Sequence, residues 1–211
     1  MKIAVIGATG MAGSRIAAEA AQRGHTVCGF SRSKRTDNQE SAGISLSTAD
    51  ATDPEAMRSI AAQADVIVLA TRPDPGTEDG VGRLLTTVLD AAHGFDRRVL
   101  VIGGAGPLHS PDSDQLVVDD VRFVPRQWRT IAQASVDQFD SCRTHPANWI
   151  YLSPPALFEP GSRTGAYRRG THRILVDADG QSRISAEDLA IAALDEIEAP
   201  EPTQRHFTVA Y

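Results

Sequence analysis

The chain has 211 residues, with 21 Lys and Arg against 27 Asp and Glu, a formal net charge of −6 and two cysteines. This balance lacks the basic field that a polynucleotide surface needs, and no apolar run reaches the length of a membrane span. The composition, 41% apolar and 23% charged, is that of a globular chain and not a disordered one. A single domain spanning residues 1–211 is the expectation, large enough to bury roughly 70% of its unfolded surface. Cys28 and Cys142 stand in no metal or redox spacing, which predicts packing roles in a reducing compartment. The apolar N-terminus carries glycines at fixed offsets and no segment resembling a cleavage site, so a cytoplasmic location is expected.

In chain order, Lys2 to Ile6 is a continuous apolar run of the kind a parallel strand buried on both faces shows. A glycine-rich turn follows, then an alanine-rich helix from Met11 to Arg23 ending at Gly24. Thr26 to Phe30 and Gly43 to Thr48 read as the second and third strands. Asp53-Pro54-Glu55 opens a helix with a capping carboxylate, a proline at the first position and an acid in the first turn. Asp65 to Ala70 is a fourth strand. Val81, Leu84, Leu85, Val88, Leu89 and Ala92 then form one apolar helical face. Arg98 to Ile102 is a fifth strand, ending in Gly103-Gly104-Ala105-Gly106. A loop-like stretch with prolines at 107, 111 and 125 leads to a helix carrying Trp128, Ile131, Ser135, Phe139 and Cys142 on one side. Trp149 to Ser153 is a sixth strand. Beyond it the chain turns irregular, with a short strand expected at Ile174 to Val176. Ser185 and Asp188 form a capping box, Ile184 and Leu189 its hydrophobic staple, and His206 to Tyr211 a last strand. Strands alternating with helices in this way predict an α/β fold: a Rossmann-type doubly wound parallel sheet with helices on both faces, and a substrate-side portion from about residue 154.

Gly7-Ala8-Thr9-Gly10-Met11-Ala12-Gly13 sits where the first strand meets the first helix. Gly7 permits a sharp turn, Gly10 lets backbone approach a pyrophosphate, and Gly13 brings the helix close to the strand. Free amides at the helix N-terminus favour an anion. The site of a dinucleotide is the expectation. An NAD site carries an acid at the end of its second strand, for the ribose 2′-hydroxyl. Here no acid occurs between Glu19 and Asp37, and the strand ends Ser31-Arg32-Ser33-Lys34-Arg35. Three cations and two hydroxyls suit a 2′-phosphate, with Arg32 gripping it; the alternative is a solvated basic loop. One charged hydrogen bond contributes about 1.5–3 kcal/mol, so NADP(H) is the expected cofactor, preferred roughly ten- to hundredfold. Asp50 reaches the adenine edge or merely serves the turn before the next helix. Thr71 and Arg72 follow the fourth strand, where a bound dinucleotide crosses.

These motifs resemble atypical short-chain dehydrogenase/reductases. Gly7 to Gly13 carries the group's signature. Gly103 to Gly106 and the run Ser153 to Gly161 are similar to its small single-domain bacterial members, the NmrA-like and biliverdin-IXβ or flavin reductase branch. The resemblance extends over Arg163-Thr164-Gly165 and Tyr167 to the Ser185 helix. It implies that Gly7, Thr9, Gly10 and Met11 hold the pyrophosphate, and Ser31 and Arg32 the 2′-phosphate. It also implies that Thr71, Gly103 and Gly104 lie near the nicotinamide ribose and that Pro154 and Ala156 line the carboxamide. A small-molecule acceptor is the expected partner, with no nucleic acid and no membrane, in a monomer or homodimer.

The departures narrow the chemistry. The family at large uses a Tyr-x-x-x-Lys pair, tyrosine as acid and lysine lowering its pKa. The lysines here are Lys2 and Lys34 alone; Tyr151 is followed four residues on by Pro155 and Tyr167 by Thr171. The expected acceptor is therefore flavin-like, quinone-like or another conjugated system that takes its proton from water. The 107–127 loop, with Leu108, Phe123 and Trp128, and the Phe158 to Tyr167 loop are the expected acceptor wall. His109, Tyr151 and Tyr167 are the available proton donors; none is assigned a catalytic role, and the catalytic residue stays unknown. The alternatives are a cofactor-sensing regulator without turnover and an epimerase. No residue spacing suggests a metal.

Overall fold

A computed structural model describes residues 1–32, 43–74 and 76–211. Ser33, Lys34 and Arg35 of the basic cluster lie outside the described residues. The elements are β1 (Lys2–Ile6), α1 (Met11–Gln22), β2 (Thr26–Ser31), β3 (Ile44–Thr48), α2 (Pro54–Gln63), β4 (Val66–Leu69) and α3 (Val81–Gly94). They continue with β5 (Arg98–Ile102), α4 (Arg129–Thr144), β6 (Trp149–Ser153), β7 (Leu157–Glu159), β8 (Arg168–Gly170), β9 (Arg183–Ser185), α5 (Ala186–Glu198) and β10 (His206–Ala210).

The main sheet has the order β3-β2-β1-β4-β5-β6-β10-β8, parallel throughout except for the β10–β8 edge pair. The strand order reverses between β1 and β4, the switch point at which α/β sheets open a crevice at their carboxyl ends. Period-two alternation divides the core into two layers. Ile3, Val5, Val68, Leu100 and Leu152 face α1 and α5, while Ala4, Ile6, Ile67, Leu69, Val99 and Val101 face α2, α3 and α4. Helices therefore cover both faces, as the apolar runs predict.

The Asp53 cap is present and the Ser185 capping box is half formed. Its return bond is missing because the Ser185 amide donates to the Tyr211 hydroxyl and the Asp188 carboxylate serves Thr164 and Gly165. The Asp53 carboxylate accepts from the Glu55 amide with Pro54 at the first helical position, and Ser185 Oγ accepts from the Asp188 amide at 3.0 Å. Ile184 and Leu189 are both buried in the same core layer.

Two expectations need correction. Ile174 to Val176 is not a strand. The Ile174 amide donates to the His109 carbonyl at 2.9 Å, and the segment joins Leu108, Val117 and Val124 in a third apolar cluster. The 103–128 stretch is accordingly a folded lobe with its own core. Arg122 bridges Asp120 and Asp112 within it, and Ser110 Oγ donates to Asp120 at 2.7 Å. The Arg122 guanidinium, followed by the Ser110 hydroxyl, outweighs burial and holds the Asp120 carboxyl down at about 2. The tail also forms three short strands, β7, β8 and β9, that the sequence pattern does not announce; β7 and β9 pair parallel, apart from the main sheet. Three residues are too few for a period-two signal.

Candidate cofactor site

Because β1 to β6 run parallel in register, every sequence-derived candidate falls at one edge of the sheet, just beyond the carboxyl ends of these strands. Gly7, Thr9, Gly10 and Met11 follow β1; Ser31 and Arg32 end β2; Asp50 follows β3; Thr71 and Arg72 follow β4; Gly103 and Gly104 follow β5; Pro154 and Ala156 follow β6. The fold gathers thirteen residues spread over 150 positions at the carboxyl end of the sheet.

The glycine turn is built by close contact. Gly7 has φ +88, and a Cβ there would lie 2.4 Å from the Ala70 carbonyl oxygen, so β1 and β4 meet at the switch point only with glycine. A Cβ on Gly13 would lie 2.2 Å from the Gly7 carbonyl oxygen, which is the close strand-to-helix packing expected. The Gly7 and Ala8 amides both donate to the Phe30 carbonyl, tying the turn to β2. Gly10 is the N-cap of α1, with no side-chain cap and no acid in the first turn. The Ser14 amide makes the first intrahelical bond, to the Gly10 carbonyl, so the Met11, Ala12 and Gly13 amides before it have no intrahelical acceptor at this end of the helix. A cradle that side chains would fill, backed by an uncapped twelve-residue helix, fits a pyrophosphate.

Arg32 is 71% exposed and pairs with Asp74 at 3.0 Å. Asp74 was missed in the sequence because a turn between prolines reads only as a turn; its place beside Arg32 depends on β2 and β4 flanking β1. Asp50 Oδ1 accepts from the Thr52 amide at 2.9 Å and hydroxyl at 2.8 Å, the turn role weighed above. These bonds, with smaller contributions from Arg32 and Arg83, hold the carboxyl below the ordinary range. The Arg72 guanidinium lies 5.8 Å from the centre of the Trp128 ring. Thr71 Cγ2 abuts Gly7, 3.3 Å from where a Cβ would stand.

Gly103 and Gly104 have a packing reason for being glycine. A Cβ on Gly103 would fall 2.0 Å from the Tyr151 ring, and one on Gly104 2.9 Å from Ser135. Of the expected acceptor wall, Leu108 is fully buried in the third cluster and is withdrawn; Phe123 is half-buried and Trp128 is 50% exposed.

The proton-donor candidates are engaged elsewhere. The Tyr151 hydroxyl lies in the core, 3.0 Å from both the Ser135 carbonyl and Gln138 Oε1, and burial pushes its pKa up. The Tyr167 hydroxyl donates to Asp195 on α5 at 2.5 Å, and burial together with that carboxylate raises it. His109 Nδ1 meets the Asp114 carbonyl at 2.9 Å within its own loop. Among the described residues, no group of three or more His, Cys, Asp or Glu is arranged to hold a metal ion, and no helix is long and apolar enough to cross a membrane.

The motif-rich tail is laid down by a second set of carboxylates, of which the sequence singles out Asp188 alone. Arg163 donates to buried Glu19 at 3.0 Å, Thr164 and Gly165 donate to Asp188, and the Gly161 amide donates to Glu187, which also pairs with Arg15 on α1. The capping-box spacing was the signal for Asp188, but it forecasts only the amide contact and not the loop the side chain anchors.

A parallel sheet with this reversal, a glycine turn at the switch point and an uncapped helix beyond it define a dinucleotide-binding Rossmann protein. The model of the NAD(P)H-binding family matches residues 7–200, and the chain belongs to that family. It is 36% identical over 215 residues to YwnB of Bacillus subtilis, a protein of uncharacterised function, covering 99% of this chain and 98% of that one. A candidate epimerase from Bacteroides thetaiotaomicron is 30% identical with a TM-score of 0.89, covering 100% of this chain and 96% of that one. A candidate NADH-flavin reductase from Streptococcus pneumoniae is 29% identical with a TM-score of 0.85, over 100% and 99% of the two chains. The resemblance to atypical short-chain dehydrogenase/reductases and the Rossmann fold class both hold on these grounds.

Proposed function

We propose that the protein is an NADPH-dependent reductase of flavin-like, quinone-like or other conjugated acceptors. The observation that carries this reading is the state of Tyr151: the tyrosine of the sixth strand turns its hydroxyl into the core, onto Ser135 and Gln138. With no lysine beyond Lys34 to assist any other tyrosine, the chain has no internal acid of the kind that alcohol–ketone exchange needs. Acceptors that draw their proton from water suit such a site. The Streptococcus relative, itself a candidate NADH-flavin reductase, supports the same class.

In this reading Gly7, Thr9, Gly10 and Met11 hold the pyrophosphate, the glycines by letting backbone come close and Thr9 and Met11 through their amides. The Gly7 and Gly10 amides are spent on the turn itself. Arg32 with Ser31 takes the 2′-phosphate. Thr71, Gly103 and Gly104 border the ribose, and Pro154 and Ala156 the carboxamide. The cofactor supplies hydride when bound. The protein supplies orientation and exclusion of water, the share of catalysis that proximity provides. Trp128 and Phe123 offer flat apolar surface at the mouth.

NADPH absorbance followed against a panel of FMN and quinones tests the class: steady oxidation is the expected result, and binding without oxidation across the panel would favour a regulator. Turnover without net NADPH loss would favour the epimerase reading, which the Bacteroides relative's description suggests. For the cofactor, Arg32→Ala should raise the KM for NADPH roughly ten- to hundredfold, the range of one lost charged hydrogen bond. The KM for NADH should hardly move; equal effects on both would sink the phosphate assignment.

A further inference from the structure

Arg32 is not waiting alone at the end of β2. Its Nη2 donates to Asp74 Oδ2 at 3.0 Å, across the mouth of the crevice from the segment that follows β4. The two partners follow the strands that flank β1 on either side, so the bridge links the two loops next to the one that carries the glycine turn. A carboxylate at this distance uses the charge-assisted geometry that a phosphate oxygen would use.

Among the described residues two carboxylates neighbour Arg32, and they differ in what else they do. Asp50 is committed to the Thr52 amide and hydroxyl. Asp74 forms its own turn through its backbone carbonyl, which accepts from the Thr77 amide at 2.9 Å and the Thr77 hydroxyl at 2.8 Å. Among the described residues its carboxylate takes no part in that turn. It is 68% exposed, and its hydrogen bond is to Arg32. Releasing Arg32 therefore costs the Asp74 segment none of its own structure.

We propose that Asp74 is a specificity-determining residue: its carboxylate occupies Arg32 in place of the cofactor 2′-phosphate and so sets how strongly the phosphorylated dinucleotide is preferred. The inference rests on the phosphate role of Arg32 proposed above. NADPH must displace Asp74 from the guanidinium and leave a carboxylate near a phosphate; NADH requires no such exchange. Asp74 thus lowers a preference that Arg32 creates.

An exposed ion pair of this kind is weak, so its removal should tighten NADPH binding by only about two- to fivefold. Added salt should shrink the effect, because the charges face solvent.

The test is a double-mutant cycle on NADPH and NADH dissociation constants at low and high salt, using wild type, Asp74→Asn, Arg32→Ala and the double variant. Asp74→Asn is expected to tighten NADPH by about two- to fivefold at low salt and to change NADH less. The gain should vanish in the Arg32→Ala background. Asp74→Ala, which removes hydrogen bonding as well as charge, should behave alike, and thermal unfolding should confirm that the variants fold. Unchanged or weaker NADPH binding in Asp74→Asn, with Arg32→Ala still selective against NADPH, overturns the role of Asp74 and leaves the cofactor reading standing. A gain that persists without Arg32 overturns the link between the two. If Arg32→Ala weakens both dinucleotides alike, the phosphate reading itself falls and takes this inference with it.

Discussion

Asp188 and Asp74 mark two ways in which this chain uses a carboxylate. Asp188, at the start of α5, is 0% exposed and receives the Thr164 amide, the Thr164 hydroxyl, the Gly165 amide and the Tyr211 hydroxyl at 2.5 to 2.9 Å. Those bonds outweigh burial and hold its carboxyl below the ordinary range. Asp74, after β4, is mostly in water and holds one exposed guanidinium. The same contrast runs through the neighbourhood of each. In the tail half, Glu19 bridges Arg23 and Arg163, and fully buried Glu196 bridges Arg98 and Arg169. At the crevice mouth, Arg32, Asp50, Arg72 and Asp74 all stand exposed. Buried charges with complete partners fix one geometry, because breaking any bond leaves a desolvated group behind. Exposed charges exchange partners at little cost. The tail is built as scaffold and the mouth as a surface that can trade one anion for another.

The largest test of that contrast is Asp188→Ala. It takes the shared acceptor from donors on exposed Thr164 and Gly165 and half-buried Tyr211, and the expected loss of stability is about 2–3 kcal/mol, read by denaturant unfolding. Asp74→Asn should leave unfolding unchanged in the same assay. A comparable loss at the two positions would erase the distinction.

The tail should also carry a pH dependence of its own. His206 packs against Phe139, its Nε2 lies 2.9 Å from Ser153 Oγ, and burial, reinforced by His172 and His109, lowers it from 6.5 to about 4. The folded state therefore prefers the neutral ring. Its contribution is complete above the unfolded value of about 6.5 and is lost as pH falls through the folded value of about 4. The loss amounts to roughly 3 kcal/mol over that window. His206→Gln should flatten the corresponding part of the stability–pH curve; a wild-type curve already flat there would contradict the burial.

Arg32→Ala comes next in size. It should act on cofactor choice alone, with unfolding unmoved, whereas any tail variant should move unfolding first. The smallest expected effect belongs to Trp128→Ala. Its half-exposed ring contributes less than about 1 kcal/mol to folding, so the change should appear as a few-fold higher KM for FMN or a quinone at unchanged NADPH affinity. A shift in NADPH affinity instead would move Trp128 from acceptor surface to cofactor surface.

Much of the scaffold was legible because its signals are local. The glycine turn, the Asp53 and Ser185 caps and the apolar stripe of α3 each lie within a few residues, and each appears where its pattern predicts. The thirteen candidate positions share one sheet edge because parallel strands deliver every following loop to the same side. What was not legible depends on distant segments meeting. Leu108 looked like pocket lining and became core once Ile174 packed against it. Gly103 looked like a cofactor contact, and its lack of a side chain also answers to the Tyr151 ring.

The lysine count and the basic end of β2 were determined by the sequence alone. They bear on the chemistry because a missing side chain cannot be supplied by folding, and a charge stays in its segment wherever that segment goes. Tertiary structure alone decided which charges are committed. Asp50, Asp74, Asp188 and Glu196 are indistinguishable as letters. Burial and the partners brought from other strands and helices turn some into fixed supports and leave Asp74 exposed, paired with the Arg32 guanidinium.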